Sequence, residues 1–336
     1  MPKRFEDAVA KQTLNRVRHP RMPFDWSINP YRGCSHGCSF CYARGTHAFL
    51  GEAADDSFQT HIFVKANAAE ALSEQLGREL RRCGGDRRAL SARMGHVAIG
   101  TATDPYQPVE AKRRITRACL RVLADHGIET SITTRSPLIL RDVDILRRMR
   151  LRSIHFSLHT VDARVWREFE PETPSPCRRL EAVSRLVAEG LPAGVFVAPI
   201  LPYVSDGEEE LAAVASAAAV ADARFLMSSV LRLAPEMREW YMGVLVRRRP
   251  EAAERVNRLY RGPYPGVQYR RALRERTARA FGRSGWRAGG GDGWFTRAAA
   301  GAVGGPFTAG DAVESVEPAR CGCREEARGV QLAFDW

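Results

Sequence analysis

Three cysteines carry the chemistry of this chain. Cys34, Cys38 and Cys41 form C-x3-C-x2-C within the segment NPYRGCSHGCSFCYAR. Thiolates are soft ligands that suit zinc or iron–sulfur clusters. A structural zinc site usually takes four protein ligands, so here His36 or His47 would have to complete it. A [4Fe–4S] cluster held by three thiolates keeps one iron open to another ligand. Gly33 and Gly37 let the chain wrap closely around a bulky group. Phe40 and Tyr42 can shield such a group from water, which helps set its redox potential. The remaining cysteines read differently. Cys119 and Cys177 fall in expected helices, where thiols are usually buried and inert. Cys321 and Cys323 make a C-x-C without the further spaced ligands of a second metal site.

These residues need a frame. Asp25–Asn29 reads as a first strand, ending at Pro30 just before the cysteine loop. A helical pattern covers Ala68–Arg82. Apolar runs His96–Thr101, Glu129–Thr134, Ser153–His159, Ala193–Ile200 and Phe225–Leu233 then alternate with helical patterns at Ile115–His126, Asp142–Met149, Pro176–Glu189 and Gly207–Ala221. Short strands alternating with longer helices indicate βαβ units and a parallel sheet. Right-handed crossovers curl six such strands into a partial (β/α)6 barrel. In such barrels the loops after the strand C-termini carry the reactive groups. The expected organisation is a basic arm over 1–23, the α/β core over 24–235, and over 236–336 a basic helical extension, interrupted at Pro250, with a flexible Gly-rich tail.

Composition narrows the classes. With 44% hydrophobic and 27% charged residues, the 336-residue chain is neither wholly disordered nor collagen-like. The net charge of +12 favours anionic partners, so nucleic acid is a candidate. The excess is almost all arginine, which also fits a compositional bias. No run approaches the ~20 apolar residues of a membrane span, and MPKRFEDAVAKQ lacks a signal peptide's apolar core. A cytoplasmic protein with reduced thiols is expected. Charge and cysteines alone would also fit a noncatalytic metal- or cluster-containing nucleic-acid-binding protein.

The wording of the motifs goes further. C-x3-C-x-aromatic-C after a first strand, then FVKAN, then GTATDPYQPVE, resembles the spore-photoproduct-lyase-like branch of the radical SAM superfamily over about residues 24–235. The resemblance implies that Cys34, Cys38 and Cys41 hold a [4Fe–4S] cluster and that S-adenosylmethionine (SAM) chelates its open iron. One electron, from a donor such as flavodoxin or ferredoxin, then yields a 5′-deoxyadenosyl radical that abstracts hydrogen from substrate. It further implies that Thr103 and Asp104, or Glu110, meet the methionine amino group. Arg135 would pair with the methionine carboxylate, since a guanidinium fits a carboxylate bidentately. Ser157 would contact the carboxylate or ribose, and Tyr42 would pack on adenine; His159 reads equally well as a strand-end structural histidine. One position departs from the pattern. The lyase's hydrogen-donating thiol falls where this chain has Thr101, and a hydroxyl is a poor hydrogen-atom donor.

Overall fold

The computed structural model describes residues 2–19, 22–50, 55–289 and 293–297, with the side chains of 48–50 left aside. The strands are β1 (Arg4–Ala8), β2 (Leu14–Arg16), β3 (Trp26–Ile28), β4 (Tyr31–Arg32), β5 (His61–Lys65), β6 (His96–Ile99), β7 (Glu129–Thr134), β8 (Leu151–Ser157), β9 (Ala193–Ile200), β10 (Leu226–Val230), β11 (Trp286–Ala288) and β12 (Trp294–Arg297). Six of them, β3-β6-β7-β8-β9-β10, lie side by side and parallel, and they are the six expected strands. Their two ends do not pair with each other. β2 runs antiparallel on β3 at one edge, and β12 with β11 follows β10 at the other. The barrel is therefore open, as the sequence predicts.

Successive strand side chains point to opposite faces. Ile132, Ile154, Phe156, Val195, Val197 and Leu226 join the main core with Leu120, Leu123, Val183, Leu186, Leu211 and Val214 from the crossover helices Ile115–His126, Pro176–Ala188 and Glu208–Val220. On β7 and β8 the alternate positions are polar: Ser131 pairs with Ser153, and Thr133 with His155. The sheet thus has one face built for helices and one able to line a polar interior.

Three segments differ from expectation. The residues read as a basic arm contribute two strands: β1 pairs parallel with β5, and β2 extends the main sheet. β1 depends on a partner far along the chain and β2 on the strand after the next turn, and local composition reveals neither pairing. Between β7 and β8, the expected helix Asp142–Met149 is a 3-10 turn over Pro137–Asp142 followed by one turn of helix, Val143–Leu146. Part of the Gly-rich segment forms β11 and β12, because Trp286 and Phe295 pack into the core. The basic extension is helical as expected, with Pro235–Arg248, Pro250–Leu259 and Val267–Gly282. Cys321, Cys323 and the tail assigned to them lie outside the described residues.

Candidate active site

The cysteine loop leaves β4, which β5 holds in the small sheet. Gly33 makes the turn at φ +81°, and a Cβ there would sit 2.7 Å from the His61 carbonyl oxygen and 2.9 Å from that of Phe58. Only glycine fits without moving backbone. The next residue, Cys34, donates its N–H to the same Phe58 carbonyl at 2.9 Å.

Side chains then pin the loop from both sides. Fully buried Gln107 accepts from the Ser35 N–H and hydroxyl, both at 2.9 Å, and donates to the Gly33 carbonyl at 3.3 Å. Thr103 donates to that carbonyl at 2.6 Å. From the other side comes Arg44, also fully buried. Its guanidinium donates to the carbonyls of Cys38 (3.3 Å), Gly37 (3.2 Å) and Asp55 (2.5 Å) and to Gln59 (2.7 Å), and it stacks 4.4 Å from the Trp240 ring centroid. A buried guanidinium keeps its charge only when its donors are satisfied so fully.

The three thiols are close enough to perturb one another. Burial pushes Cys38 and Cys41 up, and the neighbouring cysteines push them further; Arg135 only partly offsets this. Burial also opposes ionisation of Cys34, but the His36 imidazole beside it holds it below the usual thiol range. Burial disfavours charge on His36 too, yet the Asp104 carboxylate and the Cys34 thiolate lift it to about 9. Three adjacent sulfurs, two of them buried and Cys41 half-buried, cannot all ionise without positive charge among them. A bound metal centre supplies that charge and deprotonates its thiol ligands outright. The donor set and its electrostatics therefore fit a cationic cluster with three cysteine ligands.

The strand ends bring further groups to this loop. Asp104 is buried. Its Oδ1 accepts from the Thr134 hydroxyl (2.7 Å) and the Tyr106 N–H (2.9 Å). Its Oδ2 accepts from the Arg135 N–H (2.7 Å) and lies 3.3 Å from His36 Nδ1. Burial opposes its charge, but His36 and these donors keep it below the usual carboxylate range. The expected contact with a methionine amino group thus meets a carboxylate already bonded on both oxygens. Asp104 ties the loop after β6 to β7 and to the cysteine loop. Thr103 is committed likewise, accepting from Gln107 at 3.0 Å while it donates to Gly33. Glu110 stands away from the cysteines; it bonds Tyr31, the Thr116 N–H and Arg141. Its role is to seat the helix that follows β6.

Arg135 sits where the sequence placed it, at the end of β7. Its guanidinium lies 5.9 Å from the Phe40 ring centroid, and its Nε donates to Glu170 at 2.7 Å. Ser157 ends β8 and is buried; its carbonyl accepts from Arg179 at 2.9 Å. His159 packs edge-on to Phe40, centroids 5.0 Å apart. Tyr42 is 52% exposed, and its hydroxyl donates to the Thr101 carbonyl, across the start of the loop after β6. Glu170, Arg179, Arg44 and Gln107 are the residues that reading the sequence missed. Their partners lie far along the chain, Cys38 132 residues from Glu170 and Trp240 further still from Arg44, and no local spacing marks them.

Comparisons with known proteins agree with this geometry. The family model described as the radical SAM superfamily matches residues 28–215. An uncharacterized protein of Mycobacterium tuberculosis is 36% identical over 279 residues, covering 82% of this chain and 79% of that protein. One from Methanocaldococcus jannaschii is 26% identical over 199 residues, 59% of this chain and 68% of that one. Among solved structures, spore photoproduct lyase complexed with dinucleoside spore photoproduct superimposes with a TM-score of 0.57 at 17% identity, over 83% of this chain and 79% of that one. At that identity the likeness is one of fold. With its three-cysteine loop opening on the C-terminal ends of an incomplete parallel barrel, the chain belongs to the radical SAM superfamily of enzymes.

Proposed function

We propose that Cys34, Cys38 and Cys41 hold a [4Fe–4S] cluster whose open iron takes SAM, and that the enzyme uses them for hydrogen abstraction from a substrate. The observation that carries this reading is a loop that brings two buried cysteines, Cys34 and Cys38, together with half-buried Cys41, with Glu170 and its partner Arg135 beside Cys38. When bound, cluster and SAM supply one-electron cleavage of a sulfonium and a species that abstracts hydrogen. The chain's part is to hold, orient and exclude water. Gly33, Gln107 and Arg44 fix the loop, while Phe40 and Phe58 cover it. Arg135 offers its two Nη groups to the methionine carboxylate; among the described residues neither donates to a protein group. Ser157, at the end of β8, serves the ribose or carboxylate, and Tyr42, just after the cysteine loop with its hydroxyl on the Thr101 carbonyl, serves adenine. Thr103 and Asp104 shape the amino-group side through the positions they impose. Electrons come from a small carrier such as flavodoxin or ferredoxin.

Arg135→Ala should leave the cluster assembled and weaken SAM binding. A charge-assisted hydrogen bond is worth roughly 1.5–3 kcal/mol, so SAM affinity should fall on the order of 10–100-fold. Titration of SAM into the anaerobic, iron-loaded protein reads this directly. An unchanged affinity would leave Arg135 as a structural partner of Glu170.

Charge distribution supports nucleic acid as the substrate class. Over residues 235–288 there are 14 arginines against 5 glutamates, with no lysine or aspartate. Tyr264 is 47% exposed between the second and third helices of this segment. Arginine with exposed aromatics is the composition of single-strand binding surfaces. A single-stranded oligonucleotide should bind with an affinity that falls steeply as salt rises. Absence of binding at low salt would move the substrate to a peptide or metabolite. No helix of the described residues is long and apolar enough to cross a membrane, and we place the reaction in the cytoplasm.

A further inference from the structure

The helix Ala163–Phe169 follows β8 and ends at Glu170, whose backbone N–H closes its last turn on the Trp166 carbonyl. The Glu170 side chain is 1% exposed. Its Oε1 lies 2.7 Å from Arg135 Nε and 3.8 Å from Cys38 Sγ; its Oε2 lies 2.8 Å from Arg179 Nη2 and 3.4 Å from His159 Nδ1. Arg179 is fully buried and otherwise spent on the protein. Its Nε donates to the Pro174 carbonyl and its Nη1 to that of Ser157. One carboxylate thus joins two strand-end groups, Arg135 and His159, and a helix arginine, Arg179, to a cysteine of the loop.

A buried carboxylate is costly unless it is paired, and this one is paired several times over. Burial alone would favour its neutral form, but Arg179, His159 and Arg135 hold it well below the usual range. Arg179 alone would neutralise it. The additional hold on Arg135, through Nε only, has a distinct consequence. It fixes the guanidinium plane through its inner nitrogen and leaves the outer pair of nitrogens for a second anion. A planar fork held this way is pre-organised for bidentate carboxylate recognition. The same carboxylate also places negative charge next to the sulfur of Cys38. Local charge and contacts to the sulfurs set the potential of an iron–sulfur cluster.

We propose that Glu170 is a positioning residue for both cofactors: it orients Arg135 toward the SAM carboxylate and lowers the reduction potential of the cluster through Cys38. This rests on the radical SAM reading above. Two variants separate the effects. Glu170→Asp keeps the charge but, one methylene shorter, cannot reach both Arg135 and Arg179. Glu170→Gln keeps the shape and removes the charge.

The test uses full-length protein loaded with iron and sulfide without oxygen. Iron content and thermal unfolding are measured first, then SAM affinity by titration and midpoint potential by a redox titration followed spectroscopically. Glu170→Asp should bind SAM at least tenfold more weakly, with a potential near that of the parent. Glu170→Gln should move the potential upward. Glu170→Asp combined with Arg135→Ala should bind SAM no more weakly than Arg135→Ala alone, because coupled residues are not additive. Parent-like SAM affinity in Glu170→Asp, or losses that simply add in the double variant, would overturn the positioning role. An unmoved potential in Glu170→Gln would overturn the electrostatic one. Where Glu170→Gln does not assemble, Arg179→Met, which withdraws a cation facing Glu170, should move the potential downward; an unmoved potential there overturns the same claim. If the parent protein itself holds no cluster or binds no SAM, the radical SAM reading fails, and Glu170 is not what was tested.

Discussion

Cys38→Ala protein, purified without oxygen, is expected to hold no [4Fe–4S] cluster and to cleave no SAM. The three thiols are the only soft ligands that the loop offers, and they lie within one electrostatically coupled group. Removing one leaves two irons' worth of ligation where three are needed. Cys34→Ala and Cys41→Ala should behave alike. The parent should be brown, with absorbance near ~400 nm and both iron and acid-labile sulfide. The backbone around the gap should survive, since Arg44, Gln107 and Gly33 hold it without help from the sulfurs. Full iron content in Cys38→Ala would sink the assignment. A colourless parent containing zinc would replace it with the metal-containing nucleic-acid-binding protein that charge and cysteines alone also fit.

Offered the thymine photodimer of spore DNA, the enzyme should form 5′-deoxyadenosine without releasing two intact thymines. Such a repair must end with a hydrogen atom returned to a carbon radical, and thiols give up hydrogen far more readily than hydroxyls do. At the position that the resemblance assigns to the donor, this chain has Thr101. The Thr101 hydroxyl accepts from Asn29 at 3.0 Å, and the Thr101 carbonyl accepts from Tyr42. Two of the other described cysteines, Cys119 and Cys83, are poorly placed to substitute. Cys119 is fully buried on the Ile115–His126 helix among Leu120, Leu123 and the rest of the main core, where burial pushes its thiol up to about 12. Cys83 caps the helix Ala68–Arg82 and packs against that core as well. The assay is product analysis after one turnover under reductant. Stoichiometric recovery of thymine would contradict the expectation and require another donor.

Much of this architecture could be read from residue patterns. The six barrel strands were legible because each apolar run is short, and glycines such as Gly127 and Gly190 stop the helices between them. The three-cysteine motif was legible because its spacing is local. Arg135 was legible as a strand-end arginine. What stayed hidden depends on pairing between segments and not on local pattern. β1 exists because β5 lies beside it, and β2 because β3 does. Asp104 looked available as a ligand; only the fold shows Thr134, Arg135 and His36 occupying it. Glu170 sits in a Pro-rich stretch that reads as a loop, and its importance comes entirely from the four groups gathered around it.

We infer that this chain is an enzyme cleaving SAM on a three-cysteine cluster. The most direct measurement is 5′-deoxyadenosine, quantified chromatographically after anaerobic incubation of the iron-loaded protein with SAM and a strong one-electron reductant. Product should form that requires the reductant and SAM and disappears in Cys38→Ala. Iron-loaded parent protein that releases no 5′-deoxyadenosine under reductant, or Cys38→Ala that releases as much as the parent, would contradict it.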